Sequence, residues 1–258
     1  MPITDSAKRF SSRVENYIKY RPGYPPEIIG LLCTECGLSR ASAVADVGSG
    51  TGILTRLFLE NGNTVLGVEP NPDMRAAGER LLGGFPGFKS VAATAEATTL
   101  GDGTVDIVVS GQAFHWFDRE PTRREFVRIL KPAGWVVLIW NDRKTSSKPF
   151  LQDYERLLTT FASDYSAVNH SNVDPDAIQS FFDPGRFKLA SFPNQQVFNF
   201  EGLFGRLMSS SYAPEPGNPK HEPMVTELAA LFQAYEKNGT VSFEYDTLVY
   251  YGQLPAKE

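Results

Sequence analysis

Residues 44–52 read VADVGSGTG, a short apolar run that breaks into three glycines at alternate positions. Glycine accepts positive φ and lets the main chain approach a ligand closely, and the helix that follows presents unpaired N–H groups. A strand, a glycine loop and a helix in that order form a cradle for a polar group. Outward from residues 44–47 the chain alternates: a helix over 52–60, a strand over 64–68, a helix over 72–82 and a strand over 88–92. A strand over 105–109, a helix over 121–130 and the apolar strand WVVLIW at 135–140 follow. Strands alternating with helices over short connections predict a parallel sheet covered on both faces, a doubly wound α/β fold.

Ahead of this unit, Phe10, Val14, Tyr17 and Ile18 share one face of a helix predicted over 6–20, which RPGYPP at 21–26 ends; the next helix begins at Glu27. Beyond Asn141 the pattern changes. Residues 150–164 read as a helix, 187–200 as a strand interrupted at Pro193, and Met224, Leu228, Leu231, Phe232 and Tyr235 line one face of a late helix. VSFEYDTLVYYGQL at 241–254 sets Val241, Phe243, Tyr245, Val249 and Tyr251 on one side at period two, a long strand returning to the sheet. The expected organisation is an N-terminal helical segment at 1–26, a ligand-binding core at 27–141, a cap inserted at 142–239 with one sheet strand, and a final core strand at 240–258. Phe181, Phe182, Phe200, Phe204 and Tyr212 hint at an enclosed apolar pocket in the cap, although most of these rings read as core.

Composition narrows the partners. The 258 residues carry a formal net charge of −5 without a basic stripe, which argues against a nucleic-acid substrate. The first residues, MPITDSAKRFSSRVEN, lack the apolar core of a signal peptide, and no apolar run approaches the roughly 20 residues of a membrane span, so a cytoplasmic protein acting away from membranes is expected. Cys33 and Cys36 stand alone, without the second pair that a zinc site needs, and no metal is expected.

In a doubly wound sheet the ligand lies beyond the carboxyl ends of the strands, where strand order reverses. A dinucleotide loop would carry its third small residue at position 53, where this chain has Ile53, so the spacing favours a smaller nucleoside ligand over NAD. Glu69 ends the second strand, about 20 residues beyond the loop, where a carboxylate accepts from ribose hydroxyls.

These residues resemble a class I S-adenosylmethionine-dependent methyltransferase. DVGSGTG at 46–52 matches the family's first motif and Glu69 its second-strand acid; 95–118 and 128–140 resemble its third to fifth strand ends. The resemblance implies a Rossmann-like methyltransferase sheet of seven mostly parallel strands, the last antiparallel, and S-adenosylmethionine as cofactor. It implies cofactor contacts from Asp46, Gly48, Ser49, Gly50 and Gly52, ribose contact from Glu69 followed by Pro70 and Asn71, and an adenine site near Thr94, Ala95 and Glu96. Met74 either packs on adenine or simply opens its helix. Many relatives have aspartate at the position of Thr94, which leaves the adenine hydrogen bond to the backbone of Ala95. Gln112, after the fourth strand, would contact the methionine portion. Within the subgroup that includes trans-aconitate methyltransferase, a Tyr-Arg-Pro segment covers the cofactor, so Tyr20 and Arg21 are expected in a lid with Tyr17, and SSSYAPEPGN at 209–218 either faces the acceptor or is a surface turn.

Methyl transfer from a sulfonium needs above all a well-held acceptor, with aromatic faces such as Tyr20 or Trp116 to favour the cation. A base is needed only when the acceptor must lose a proton; His115 is the candidate, with a structural role in its turn as the alternative. The expected function is methyl transfer to a small molecule, carboxylated or apolar. A non-catalytic cofactor-binding module, a nicotinamide oxidoreductase and a macromolecule methyltransferase are the alternatives.

Overall fold

The computed structural model describes residues 14–162, 165 and 175–255; Phe10 and His170 lie outside them. Along the chain run α1 (Val14–Tyr20), α2 (Glu27–Cys36), β1 (Ala43–Val47), α3 (Ile53–Asn61), β2 (Thr64–Val68), α4 (Pro72–Leu82), β3 (Phe88–Val91), β4 (Val105–Gly111), α5 (Arg119–Ile129) and β5 (Leu130–Arg143). Then come α6 (Pro149–Phe161), α7 (Pro175–Phe182), β6 (Phe187–Phe198), α8 (Phe200–Met208), α9 (His221–Tyr235) and β7 (Val241–Gly252). The strands form one sheet in the order β3-β2-β1-β4-β5-β7-β6. β7 runs opposite to the other six strands of this sheet, antiparallel to both β5 and β6. Strand order reverses between β1 and β4, which places the switch point at the glycine loop.

Burial on both faces explains the unbroken apolar runs. Along β5, Val136, Leu138 and Trp140 enter one core with Phe126 and Phe181, while Val137 and Ile139 enter the opposite core with Ile28 and Phe58. β7 divides its period-two face. Val249 and Tyr251 join the α2–α3 core, whereas Val241, Phe243 and Tyr245 join a third core with α6, α8 and α9. This third core is the cap, stacked on the carboxyl end of the sheet by the overhang of β7 beyond β5.

Three expectations change. β6 continues through Pro193, which pairs with Asp246, because β6 is an edge strand that can spare one N–H. β5 begins at Leu130, not 135: Leu130 pairs with Val105 and Trp135 with Ile107, so residues 131–134 bulge, with Ala133 at φ 61°. Phe181 and Phe182 pack under the sheet beside Phe126, so the rings of α7 do not belong to the cap. Among the described residues no helix is long and apolar enough to cross a membrane.

α1 straps the two parts together. Tyr20 is buried in the cap core against Gly205 of α8, where a Cβ would overlap its ring. Arg21 Nη2 donates to the Ser209 carbonyl at 3.0 Å, and Asn141 Nδ2 donates to the Gly23 carbonyl at 3.1 Å. The Arg80–Glu15 pair at 2.7 Å reaches α4, but both side chains are exposed and the contact adds little. Gly205→Ala overpacks the Tyr20 seat by about 1–3 kcal/mol. Amide exchange in α1 should therefore quicken about tenfold while the sheet amides stay protected; unchanged exchange in α1 would show that Tyr20 does not anchor the strap.

Candidate functional site

β1 delivers the chain into a turn with Gly48 at φ 73°, Gly50 at 57° and Gly52 at 85°, values that a side-chain-bearing residue adopts only under strain. The amides of Gly48 and Ser49 both donate to the Val68 carbonyl, at 2.9 and 3.1 Å, so the loop is pinned to β2. At Gly48 a Cβ would lie 2.6 Å from that of Ala113. Gly52 serves packing instead, since a Cβ there would strike Leu82 and keep α3 off α4.

Glu69 closes the loop from the other side. Its Oε2 accepts the Gly50 N–H and its Oε1 the Asn71 N–H, both at 2.8 Å. The residue is 8 % exposed; burial raises its pKa, and the two N–H groups oppose that rise. A carboxylate has room for about four hydrogen bonds, so capacity remains for two hydroxyls. Asn71 caps α4, accepting from Asp73 and Met74 N–H at 2.9 and 3.1 Å.

Two cavities meet over this loop. The first is lined by Glu69, Pro70, Asn71, Met74, Thr94, Ala95, Glu96 and Phe117. The second, under the cap, is lined by Arg21, Tyr24, Asp46, Ser49, Thr51, Asn141, Asp142, Arg143, Tyr165, Arg206, Tyr212 and Tyr245, among others. Tyr17, Gly48, Gly50, Gly111, Gln112 and Trp116 line both, so the space is continuous.

Buried polar atoms without protein partners concentrate along it: Asp46 Oδ1, Gln112 Oε1, Thr51 Oγ1, and one guanidinium nitrogen each of Arg21, Arg143 and Arg206. Protein interiors pair the large majority of such atoms, so this concentration marks a place where a polar ligand completes the bonding. Asp46 Oδ2 accepts from Thr55 Oγ1 at 2.6 Å, and burial pushes its pKa up to about 7. Gln112 holds a left-handed φ of 55°, rare outside glycine, with Nε2 donating to the Asn141 carbonyl at 3.2 Å. That bond fixes which way Oε1 points.

Most sequence-selected positions thus come together on one lining, but three do not. Tyr20 turns into the cap core, and it is Tyr17, one helical turn earlier, that faces the cavity. Gly52 sits behind the loop. His115 lies outside both linings on an exposed residue of the short 3-10 turn Phe114–Trp116, its ring tilted against Trp116 with centroids 4.7 Å apart. Crowding by neighbouring protein lowers its pKa, and Trp116 takes the cavity wall instead. Sequence reading missed Arg143, Tyr165 and Arg206; only Arg143, directly beyond the WVVLIW strand and its carboxyl-end Asn141, carried a positional signal. Cys33 is exposed and Cys36 buried on α2, away from the cavity; among the described residues no cluster of three or more His, Cys, Asp or Glu is placed to hold a metal.

Comparison with known proteins agrees with this geometry. Residues 45–138 match the family model described as a methyltransferase domain. An uncharacterized methyltransferase of Schizosaccharomyces pombe is 34 % identical over 250 residues, covering 94 % of this chain and 96 % of its own. A second relative from that yeast, described as methyltransferase-like, is 27 % identical over 97 % of both chains. The solved structure of a candidate type II methyltransferase from Anaeromyxobacter dehalogenans superposes with a TM-score of 0.69 over 92 % of this chain and 100 % of that one; at 18 % identity it speaks to the fold alone. With the glycine loop, the strand-end acid and near full-length similarity to a methyltransferase in hand, the chain belongs to the class I S-adenosylmethionine-dependent methyltransferases.

Proposed function

We propose that the protein binds S-adenosylmethionine along the continuous cavity and transfers its methyl group to a small molecule held beneath the cap. The observation that carries this is the row of orphaned polar atoms from Asp46 to Gln112 between the recess at Glu69 and the chamber at Arg143. When bound, the cofactor supplies an electrophilic methyl: an acceptor lone pair forms the new bond while the carbon–sulfur pair returns to sulfur, leaving a neutral thioether.

The chain's own residues hold and enclose. Glu69 takes the ribose hydroxyls with its remaining lone pairs, and the Met74 and Phe117 side chains flank the adenine recess. Asp46 Oδ1 and Gln112 Oε1, both acceptors, suit the ammonium of the methionine portion. Trp116 and Tyr17, on the wall that joins the cavities, offer ring faces to a sulfonium. The chamber walled by side chains of α1, β5, α8 and β7 supports a small acceptor over one carried on a nucleic acid. Positioning of this kind, worth effective molarities of roughly 10⁵–10⁸ M, requires no base when the acceptor is already deprotonated.

Two measurements test this. Asp46 must be ionised to pair with an ammonium, and its pKa of about 7 means that the unliganded site holds the proton below neutrality. Affinity for S-adenosylhomocysteine should rise by up to about tenfold per pH unit below pH 7 and flatten above it; Asp46→Asn should bind weakly with no such slope, and a wild-type profile that is already flat would remove Asp46 from the ammonium site. Second, a screen of small acids, phenols and amines with methyl-labelled cofactor should give turnover that His115→Asn retains to within about threefold across neutral pH. Loss of turnover in that variant, with folding intact, would restore His115 as a base.

A further inference from the structure

Two carboxyls line the chamber beneath the cap, Asp46 and Asp142. Asp46 lies under the glycine loop with one oxygen on Thr55 Oγ1 at 2.6 Å, and the other suits the cofactor's ammonium. Asp142 is placed differently. It follows Asn141, whose carbonyl fixes Gln112 Nε2 at 3.2 Å, and it lines the chamber without reaching the recess at Glu69. Asp142 thus stands on the acceptor side of the proposed methionine portion. Among the described residues its carboxyl has no hydrogen-bond or ion-pair partner, and no histidine, lysine or cysteine lines either cavity.

The surroundings keep that carboxyl unpaired. Alternate residues of a strand share a face, so Asp142 and Lys144 point the same way, and Asp142 stands directly opposite Asp246 of β7. Lys144 Nζ is taken by Asp246 at 3.0 Å. Arg143, on the reverse face, is held by Glu155 and by the Tyr165 hydroxyl, at 2.5 and 3.0 Å. Tyr250 of β7 feels the Asp142 charge, which helps to keep its phenol protonated. Asp246, Lys144, Arg143 and Tyr250 are the charged and titratable groups around Asp142. Half-burial, then the like charge of Asp246, raise its pKa, and Arg143 opposes the rise. The carboxylate is therefore a stronger base than an exposed aspartate, and its partial exposure lets water carry a proton away.

Resting on the methyltransferase reading above, we infer that Asp142 is the general base of the reaction and that the acceptor offers the methyl group a nucleophile that still carries its proton, a hydroxyl or an amine. The acceptor's oxygen or nitrogen lone pair forms the bond to the methyl carbon, and the carbon–sulfur pair returns to sulfur. The proton on the attacking atom passes to an Asp142 oxygen. One sulfonium and one carboxylate become a neutral thioether and a neutral carboxyl, which then gives its proton to water. Asp246 is a positioning residue: it holds Lys144 away from Asp142 and raises the basicity of Asp142 by like charge. A carboxylate or thioether acceptor has a free lone pair already and would gain nothing from this base. Hydroxyl and amine share the chemistry, and the acceptor panel separates them.

The test follows labelled transfer by the full chain, at saturating S-adenosylmethionine, to a matched aryl panel: a phenol, a benzylic amine, a benzoate and an aryl methyl thioether. The last two need no proton removed. At least one of the first two should be the better acceptor by about tenfold or more. Asp142→Asn should lower its kcat about 100-fold, while KM and S-adenosylhomocysteine affinity stay within about threefold of wild type; Asp142→Glu should recover at least about tenfold. Wild-type kcat should fall in acid as Asp142 takes up a proton. That limb should move to lower pH in Asp246→Asn, which removes the like charge and frees Lys144, and should vanish in Asp142→Asn. Should Asp142→Asn fail to fold, Asp246→Asn and the wild-type panel still decide. Transfer confined to the benzoate or the thioether, kcat that Asp142→Asn keeps to within about threefold, or an acid limb that Asp246→Asn leaves in place overturns the inference. A raised KM with unchanged kcat in Asp142→Asn also overturns it, because that is the mark of a counter-ion. Failure of the wild-type protein to bind S-adenosylhomocysteine, or bound cofactor without transfer to any compound, overturns the methyltransferase reading instead.

Discussion

The clasp between Glu69 and the main chain at Gly50 and Asn71 organises the site. One carboxylate at the end of β2 holds the loop after β1 with one oxygen and the start of α4 with the other, each at 2.8 Å. Charge-assisted hydrogen bonds to backbone N–H groups are the stronger kind, and here they act at a buried position where water competes poorly. The Val68 carbonyl that receives Gly48 and Ser49, and the cap that Asn71 provides to α4, brace the same two segments that this carboxylate joins. The same atoms keep spare acceptor capacity toward the cavity, so the group that shapes the loop also presents itself to a ligand.

The far end of the site is held differently. β5 runs past the sheet edge to Arg143, β7 runs back beside it from Tyr245, and the cap stacks on that overhang. Asn141 ties the pieces: its Oδ1 accepts from Thr247 and Asn194, and its Nδ2 donates to Gly23 in the segment after α1. The cavity is therefore roofed by chain from both termini. With the proposed cofactor in the cradle beneath, this cover is the natural place for acceptor specificity.

Much of the sheet was legible because its residues obey simple periods. WVVLIW is apolar without alternation since both faces of β5 are buried, and the step from the glycine loop to Glu69 reports the length of one helix plus one strand. Pro193 misled because a sequence does not show which strand ends up at the edge. Tyr17 and Tyr20 could not be told apart, being three residues apart on one helical stripe; which one meets the cavity depends on α8 offering Gly205 as a seat for Tyr20. Arg206 gave no signal. In FEGLFGRLM it reads as the polar residue of an amphipathic helix, and only tertiary packing turns it inward to a buried place beside Ser210.

Calorimetric titration of S-adenosylhomocysteine, with and without millimolar NADH, into the wild-type protein and Glu69→Ala bears on the Glu69 clasp and its ligand together. One site per chain that NADH does not displace is expected, with a loss of about 30-fold or more in affinity in the variant, because a buried carboxylate that bridges protein and ligand is removed. Displacement by NADH, or wild-type affinity in Glu69→Ala, would contradict the assignment of this cradle to a methionine nucleoside.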